Sequence, residues 1–153
     1  MRHYVMIPEH LKYAPTHEWF LFETKSITVG LTHHILGELK RLLFLDLPKV
    51  GEEILSGISF GEVESLEMLL DITSPLDGEV IAVNERLFED LDLLSDAPYD
   101  QGWLIKFITR ETISPGDFLS AREYAVHIGN PQYPHPLRGL KQHSKTLREK
   151  QKK

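Results

Sequence analysis

The densest set of chemistry-bearing side chains lies in the run G-E-V-E-S-L-E-M-L-L-D-I-T-S-P-L-D-G, from Gly61 to Gly78. It holds the carboxylates Glu62, Glu64, Glu67 and Asp71, with Ser65 among them. Such a cluster suggests a hard-cation site or paired acid–base catalysis. A calcium loop needs a glycine at its sharp turn amid alternating oxygen ligands, and that pattern is missing. A solvated acidic hairpin is the plainer expectation, and no cleft is evident for a catalytic carboxylate pair. Ser65 has no histidine near it in sequence and sits in no G-x-S-x-G elbow. His33-His34 is the other concentrated pair, but neighbours on a helix diverge by about 100°, and no third ligand accompanies them. No metal site and no enzyme are expected. The run also lacks an amine, for no lysine falls between Glu52 and Lys106.

These residues need a scaffold, and the run supplies its own. Val63, Leu69 and Ile72 occupy β-favouring or apolar positions, and Pro75 with Gly78 ends the second strand, so a hairpin places Glu67 at its turn. Further strands are expected over 19–22, 27–31, 58–64, 69–72, 78–83 and 103–109. Residues 42–47 are apolar almost throughout, as in a strand buried on both faces. Thr32 stands as the cap of a short helix over 33–39, and Asn84 opens a loop or helical stretch reaching Asp96. Residues 114–126 read as a helix with Pro115 early in it and Phe118, Leu119, Ala121, Tyr124 and Ala125 as its apolar set. Many short strands with little helix imply a mainly β fold, a flattened sandwich or barrel with short peripheral helices and a C-terminal helix.

The chain has 153 residues, which suits one domain with one core. Its 41% hydrophobic and 26% charged residues are those of an ordinary globular protein. No apolar run approaches the roughly 20 residues that span a bilayer. The N-terminal residues lack an apolar signal core, and Pro8 and Glu9 disfavour a transit peptide. The absence of cysteine excludes disulfides, thiolate metal sites and cysteine nucleophiles. It also fits a reducing compartment, so a cytoplasmic location is expected.

Charge divides the chain at residue 130. Residues 130–153 carry seven Lys or Arg against Glu149 alone, whereas residues 1–129 hold a net −12. The acidic body, residues 1–129, is expected to be the domain, and its charge argues against DNA as a partner. The tail opens N-P-Q-Y-P-H-P and turns basic, as a flexible extension would. RNA, an anionic membrane and the acidic body are its conceivable partners. A solvated tail of no fixed role is the plainer expectation.

Six segments in register carry a family resemblance. They are Y-A-P-T-H-E-W at residues 13–19, V-G-L-T-H-H at 29–34, F-L-D-L-P-K-V-G-E at 44–52, G-E-V-I-A-V-N at 78–84, P-Y-D-Q-G-W-L-I-K at 98–106 and L-S-A-R-E-Y at 119–124. Together with the hairpin they resemble the glycine cleavage system H protein, a carrier of covalent lipoate, over about residues 13–128. The resemblance implies a lipoyl-type flattened sandwich that presents the modified side chain at a hairpin tip. It also implies that members of the family catalyse nothing themselves.

In that family the tip residue is the lysine to which lipoate is attached, and Glu67 stands at its position here. Lipoylation forms an amide with a lysine nitrogen, which a carboxylate cannot supply. No cofactor is therefore expected at Glu67, although lipoate is expected in the family. Gly51, Glu64 and Gly78 match positions that frame the lipoylation site, and Asp71 and Pro75 match as well. Thr16, Glu18 and Asp71 match the cleft that shelters the cationic arm. On plainer grounds Glu18 and Asp71 are solvated surface acids, Thr16 a turn residue, and the glycines turn formers. Met68-Leu69-Leu70 replaces a smaller, more polar A-x-S beside the site, making Met68 and Leu69 candidate contacts unless Leu69 faces the core. Lys40-Arg41 stands where the family has Gly-Asp.

The resemblance and its departures imply a non-lipoylatable relative. It would be a protein-binding or regulatory paralogue linked to glycine-cleavage or lipoate-handling enzymes. The alternative is a functional carrier in glycine cleavage or a related lipoate or sulfur pathway, using a different attachment residue or a lipoylated partner copy. A third option is an adaptor whose basic tail contacts RNA or membrane.

Overall fold

The acidic hairpin forms, and its second strand has the expected bounds. Strands β6 (Gly61–Ser65) and β7 (Leu69–Ile72) pair antiparallel, with Gly61 opposite Ile72 and Glu64 opposite Leu69. A computed structural model describes residues 6–129. The basic tail expected from residue 130 onward lies outside the described residues, as do residues 1–5.

The strands are β1 (Lys12–Tyr13), β2 (Glu18–Phe22), β3 (Ile27–Leu31), β4 (Leu42–Asp46), β5 (Glu53–Ile54), β6, β7, β8 (Gly78–Val83) and β9 (Ile105–Ile108). A six-stranded sheet runs β1-β2-β3-β9-β8-β5, and a three-stranded sheet runs β4-β6-β7. All pairings are antiparallel. Inward side chains of both sheets, including Phe20, Val29, Leu45, Val63, Ile72, Val80 and Phe107, form one core. Successive strand residues point to opposite faces. Accordingly Phe20 enters that core, while Trp19 joins Tyr13, Tyr124 and Ala125 in a second cluster. Trp19 lies so close over β3 that a Cβ on Gly30 would sit 2.2 Å from its ring, which explains a glycine inside a buried strand.

Among the described residues there are four short α-helices: α1 (His33–Leu39), α2 (Arg86–Glu89), α3 (Asp92–Asp96) and α4 (Ala121–His127). Thr32 caps α1 as expected, its hydroxyl accepting from the Ile35 amide. The helix expected over 114–126 forms differently. Pro115–Asp117 makes a single 3-10 turn, and α4 starts later because Ser120 and Glu123 form a reciprocal capping box. Phe118, freed from that helix, packs edge-on against Phe20 and Phe22. The strand expected over 58–64 begins only at Gly61, and Ile58 is exposed.

Residues 42–47 also depart from expectation. β4 is an edge strand of the smaller sheet, interrupted by a register shift between Leu42 and Phe44. Leu43 and Phe44 are 48% and 53% exposed, so the strand is not buried on both faces. Period two puts Phe44 on the same side as Asp46, which is itself exposed.

Candidate functional site

The turn between β6 and β7 is built around Ser65. Its amide donates to the Met68 carbonyl at 2.9 Å, and its hydroxyl oxygen receives the amides of Glu67 and Met68, both at 3.1 Å. The Leu66 amide donates to the Arg41 carbonyl at 3.2 Å. That bond brings the α1–β4 connection, with exposed Lys40 and Arg41, alongside the tip. Lys40 holds φ 61°, a backbone region that favours glycine. Ser65 is thus a structural pin of the turn, and Glu67 projects from it into solvent.

The neighbourhood of Glu67 is apolar. Leu66, Met68 and Leu69 are 66%, 40% and 58% exposed, and Leu43 and Phe44 of β4 continue the surface. Leu69 therefore faces outward, not into the core. Phe44, Glu64 and Leu69 lie opposite one another across the three strands, so Glu64 sits between two apolar neighbours on the outer face. Asp46, Glu62 and Asp71 form the next row on that face. The contributions of Leu43, Phe44 and Leu66 were not read from the sequence. Asp46, two positions from Phe44, was the available sign that this face is wet.

The cleft residues divide. Glu18 is fully buried, contrary to the expectation of a solvated acid. Its Oε1 accepts from the Thr16 hydroxyl at 2.5 Å, and its Oε2 accepts from the Thr73 amide at 3.0 Å. Burial pushes its carboxyl above the ordinary range, opposed by those hydrogen bonds. Glu18 thereby ties the start of β2 to the residue after β7. Asp71 is exposed, two residues before Thr73. Thr16, Glu18 and the base of the hairpin come together, while Glu67, Met68 and Leu69 sit at its other end.

Gly51 and Gly78 are set by backbone geometry. Gly51 has φ 95° and donates its amide to the Val80 carbonyl at 2.8 Å. A Cβ on Gly78 would lie 2.3 Å from the Phe107 ring. Both belong to the β5–β8 side of the six-stranded sheet, where turn and packing account for them. A shallow groove of about 320 Å³ on that side, lined by Ile54, Gly78, Ile108 and Arg110 among others, gathers none of the other candidates.

A separate polar cluster surrounds Tyr124. Its hydroxyl lies 2.8 Å from His17 Nδ1 and 2.7 Å from Thr32 Oγ1. The rings of His34 and His127 lie 5.3 Å and 5.8 Å from that of His17. Burial, then the charges of His34 and His127, pulls His17 down to about 4. Among the described residues no group of three or more His, Asp or Glu is disposed to hold a metal ion. No helix among them is long and apolar enough to cross a membrane.

Two packed antiparallel sheets and a hairpin with a solvent-facing tip define the lipoyl class of β-sandwich. The chain belongs to the glycine cleavage H-protein family, whose model matches residues 11–129. It is 35% identical over 123 residues to the glycine cleavage system H protein of Staphylococcus haemolyticus, covering 80% of this chain and 98% of that one. Identity to the Streptomyces coelicolor protein of the same name is 39%, with 80% and 97% covered. A crystal structure of a glycine cleavage system H protein from Mycobacterium marinum superposes with a TM-score of 0.74 at 32% identity, covering 80% of this chain and 99% of that one. Members of this family are carrier proteins, and the chain is not an enzyme.

Proposed function

We infer that this chain is an H-protein-family member that carries no lipoate at its hairpin and acts by binding proteins through the tip. The carrying observation is the tip itself, where an exposed carboxylate, Glu67, occupies the turn amid five exposed apolar side chains, Leu43, Phe44, Leu66, Met68 and Leu69. A carboxylate provides no nitrogen for amide formation. A contiguous apolar surface loses free energy on being covered, at about 25 cal/mol per Å². Its partners are proposed to be glycine-cleavage or lipoate-handling enzymes, which makes the chain a regulatory paralogue of the carrier. Thr16 and Glu18 hold the base of the hairpin through the Thr73 amide, and Glu64 and Asp71 lie exposed on its two strands. The domain is residues 1–129, working in the cytoplasm.

The test is titration of purified glycine-cleavage enzymes and a lipoate ligase with the wild-type chain and with Phe44→Ser/Leu69→Ser. Both positions are exposed, so the fold tolerates the change. Binding by the wild type and a loss of tenfold or more, about 1.4 kcal/mol, in the variant is expected. Equal binding by both would refute a tip interface.

One observation favours the second reading, a carrier with another attachment residue. Lys40 is exposed and adjoins Arg41, whose carbonyl receives the tip amide of Leu66. Peptide mapping after exposure to ligase separates the two, because only this reading places a lipoyl group on Lys40.

A further inference from the structure

We propose that two copies of this chain pair antiparallel along β4, an open edge of the smaller sheet. That edge keeps unused backbone groups. Along a strand flanked by antiparallel neighbours, bonds to the two sides alternate. The Ser65 amide donates to the Met68 carbonyl at 2.9 Å. By alternation Val63 then faces β7, while Glu62 and Glu64 face β4, where Asp46 and Phe44 lie opposite them. The N–H and C=O of Leu45, between those two, therefore point away from β6. No other described strand lies on that side of β4, and no described backbone group outside the sheet bonds to Leu45. Leu43 and Phe44 make the same edge apolar and exposed. An edge that is both unpaired and apolar is a template for another strand.

Charge selects a second copy as that strand. Exposed Lys40 and Arg41 precede β4, and exposed Asp46 ends it. Among the described residues none of the three forms an ion pair, the salt bridges being His34–Glu38 and Lys106–Glu23. A two-fold axis beside Phe44 sets it against its own counterpart, with Leu43 opposite Leu45. The Arg41 end of each strand then meets the Asp46 end of the other, as an isologous contact requires. Opposite charges so placed attract across strands. Glu62, opposite Asp46 on β6, strengthens the acidic end. β7, the other edge of the sheet, lacks this complementarity. No lysine or arginine falls between Lys49 and Arg86, so two paired β7 strands would set Asp71 near its own counterpart with no cation of the hairpin to offset it. The register shift between Leu42 and Phe44 keeps the paired segment of β4 short, which makes the dimer reversible. Its formation does not rest on what the tip binds, and its test uses this chain alone.

Sedimentation velocity on the full-length chain reads the assembly, for the wild type and for two variants, Lys40→Glu/Arg41→Glu and Asp46→Lys/Glu62→Lys. The four positions are exposed or half-buried. Each variant carries like charges at both ends of β4, whereas a mixture of the two restores opposite charges at both contacts of the pair. The expected result for the wild type is a reversible dimer with Kd below about 100 μM. Each variant alone should weaken it about tenfold or more, and the equimolar mixture should return to within about threefold of the wild type. Recovery in the mixture also excludes misfolding as the cause of the loss. A wild type that stays monomeric, or that assembles beyond a dimer, would overturn the proposal. So would variants that dimerise as the wild type does, or a mixture that dimerises no better than its components.

Discussion

Replacing His17 with Asn tests whether the polar cluster around Tyr124 sets the acid stability of the domain. His17 is half-buried, holds φ 84°, and shares a 2.8 Å hydrogen bond with the Tyr124 hydroxyl. Asn tolerates such a positive φ and keeps a polar amide, but does not titrate. In the folded chain burial draws His17 down to about 4, against 6.5 for the free side chain. Above the unfolded value the ring is neutral in both states and contributes no pH dependence. As pH falls toward the folded value, the unfolded chain takes up a proton that the folded chain refuses, so stability falls. From about pH 7.5 to about pH 5 that difference is worth about 2 kcal/mol. His34, also lowered mainly by burial, acts with the same sign, whereas the raised carboxyl of Glu18 acts with the opposite sign. Both remain in the variant and cancel in the comparison. Urea unfolding followed by tryptophan fluorescence at both pH values should show the wild type losing about 2 kcal/mol more than the variant. Parallel losses would refute the assignment of a neutral His17 in the folded chain.

Two further perturbations address the tip. Lys40→Gly should raise stability by about 1 kcal/mol by relieving a backbone that disfavours side chains, read as a higher urea midpoint; an unchanged or lowered midpoint would contradict it. Ser65→Ala removes the acceptor of the Glu67 and Met68 amides. It should cost about 1 kcal/mol and accelerate hydrogen exchange at those two amides, and unchanged exchange would show that Ser65 does not pin the turn.

The hairpin was legible because Pro75 and Gly78 punctuate it and its apolar positions suit strands, and Thr32 announced α1 through its hydroxyl. The two-residue strands β1 and β5 were not, since so short a segment shows no period. The run Leu42–Asp46 misled because hydrophobicity alone does not distinguish a strand sandwiched in a core from an edge strand with an exposed apolar face. Glu18 misled in the other direction. A carboxylate is usually wet, and its burial depends on Thr16 and on an amide 55 residues away, a pairing that only the fold creates. The same long-range placement brought Arg41 beside Leu66 and extended the tip beyond the residues that the motif had marked.

Under the proposed function Glu67 leaves the tip without the amine that lipoate attachment requires. Intact-protein mass spectrometry after incubation with a lipoate ligase, lipoate and ATP tests it on the wild type and on Glu67→Lys in parallel. The wild type should keep its unmodified mass while Glu67→Lys gains one lipoyl group, because the variant puts a primary amine on the exposed turn that Ser65 pins. A lipoyl adduct on the wild-type chain would contradict the claim.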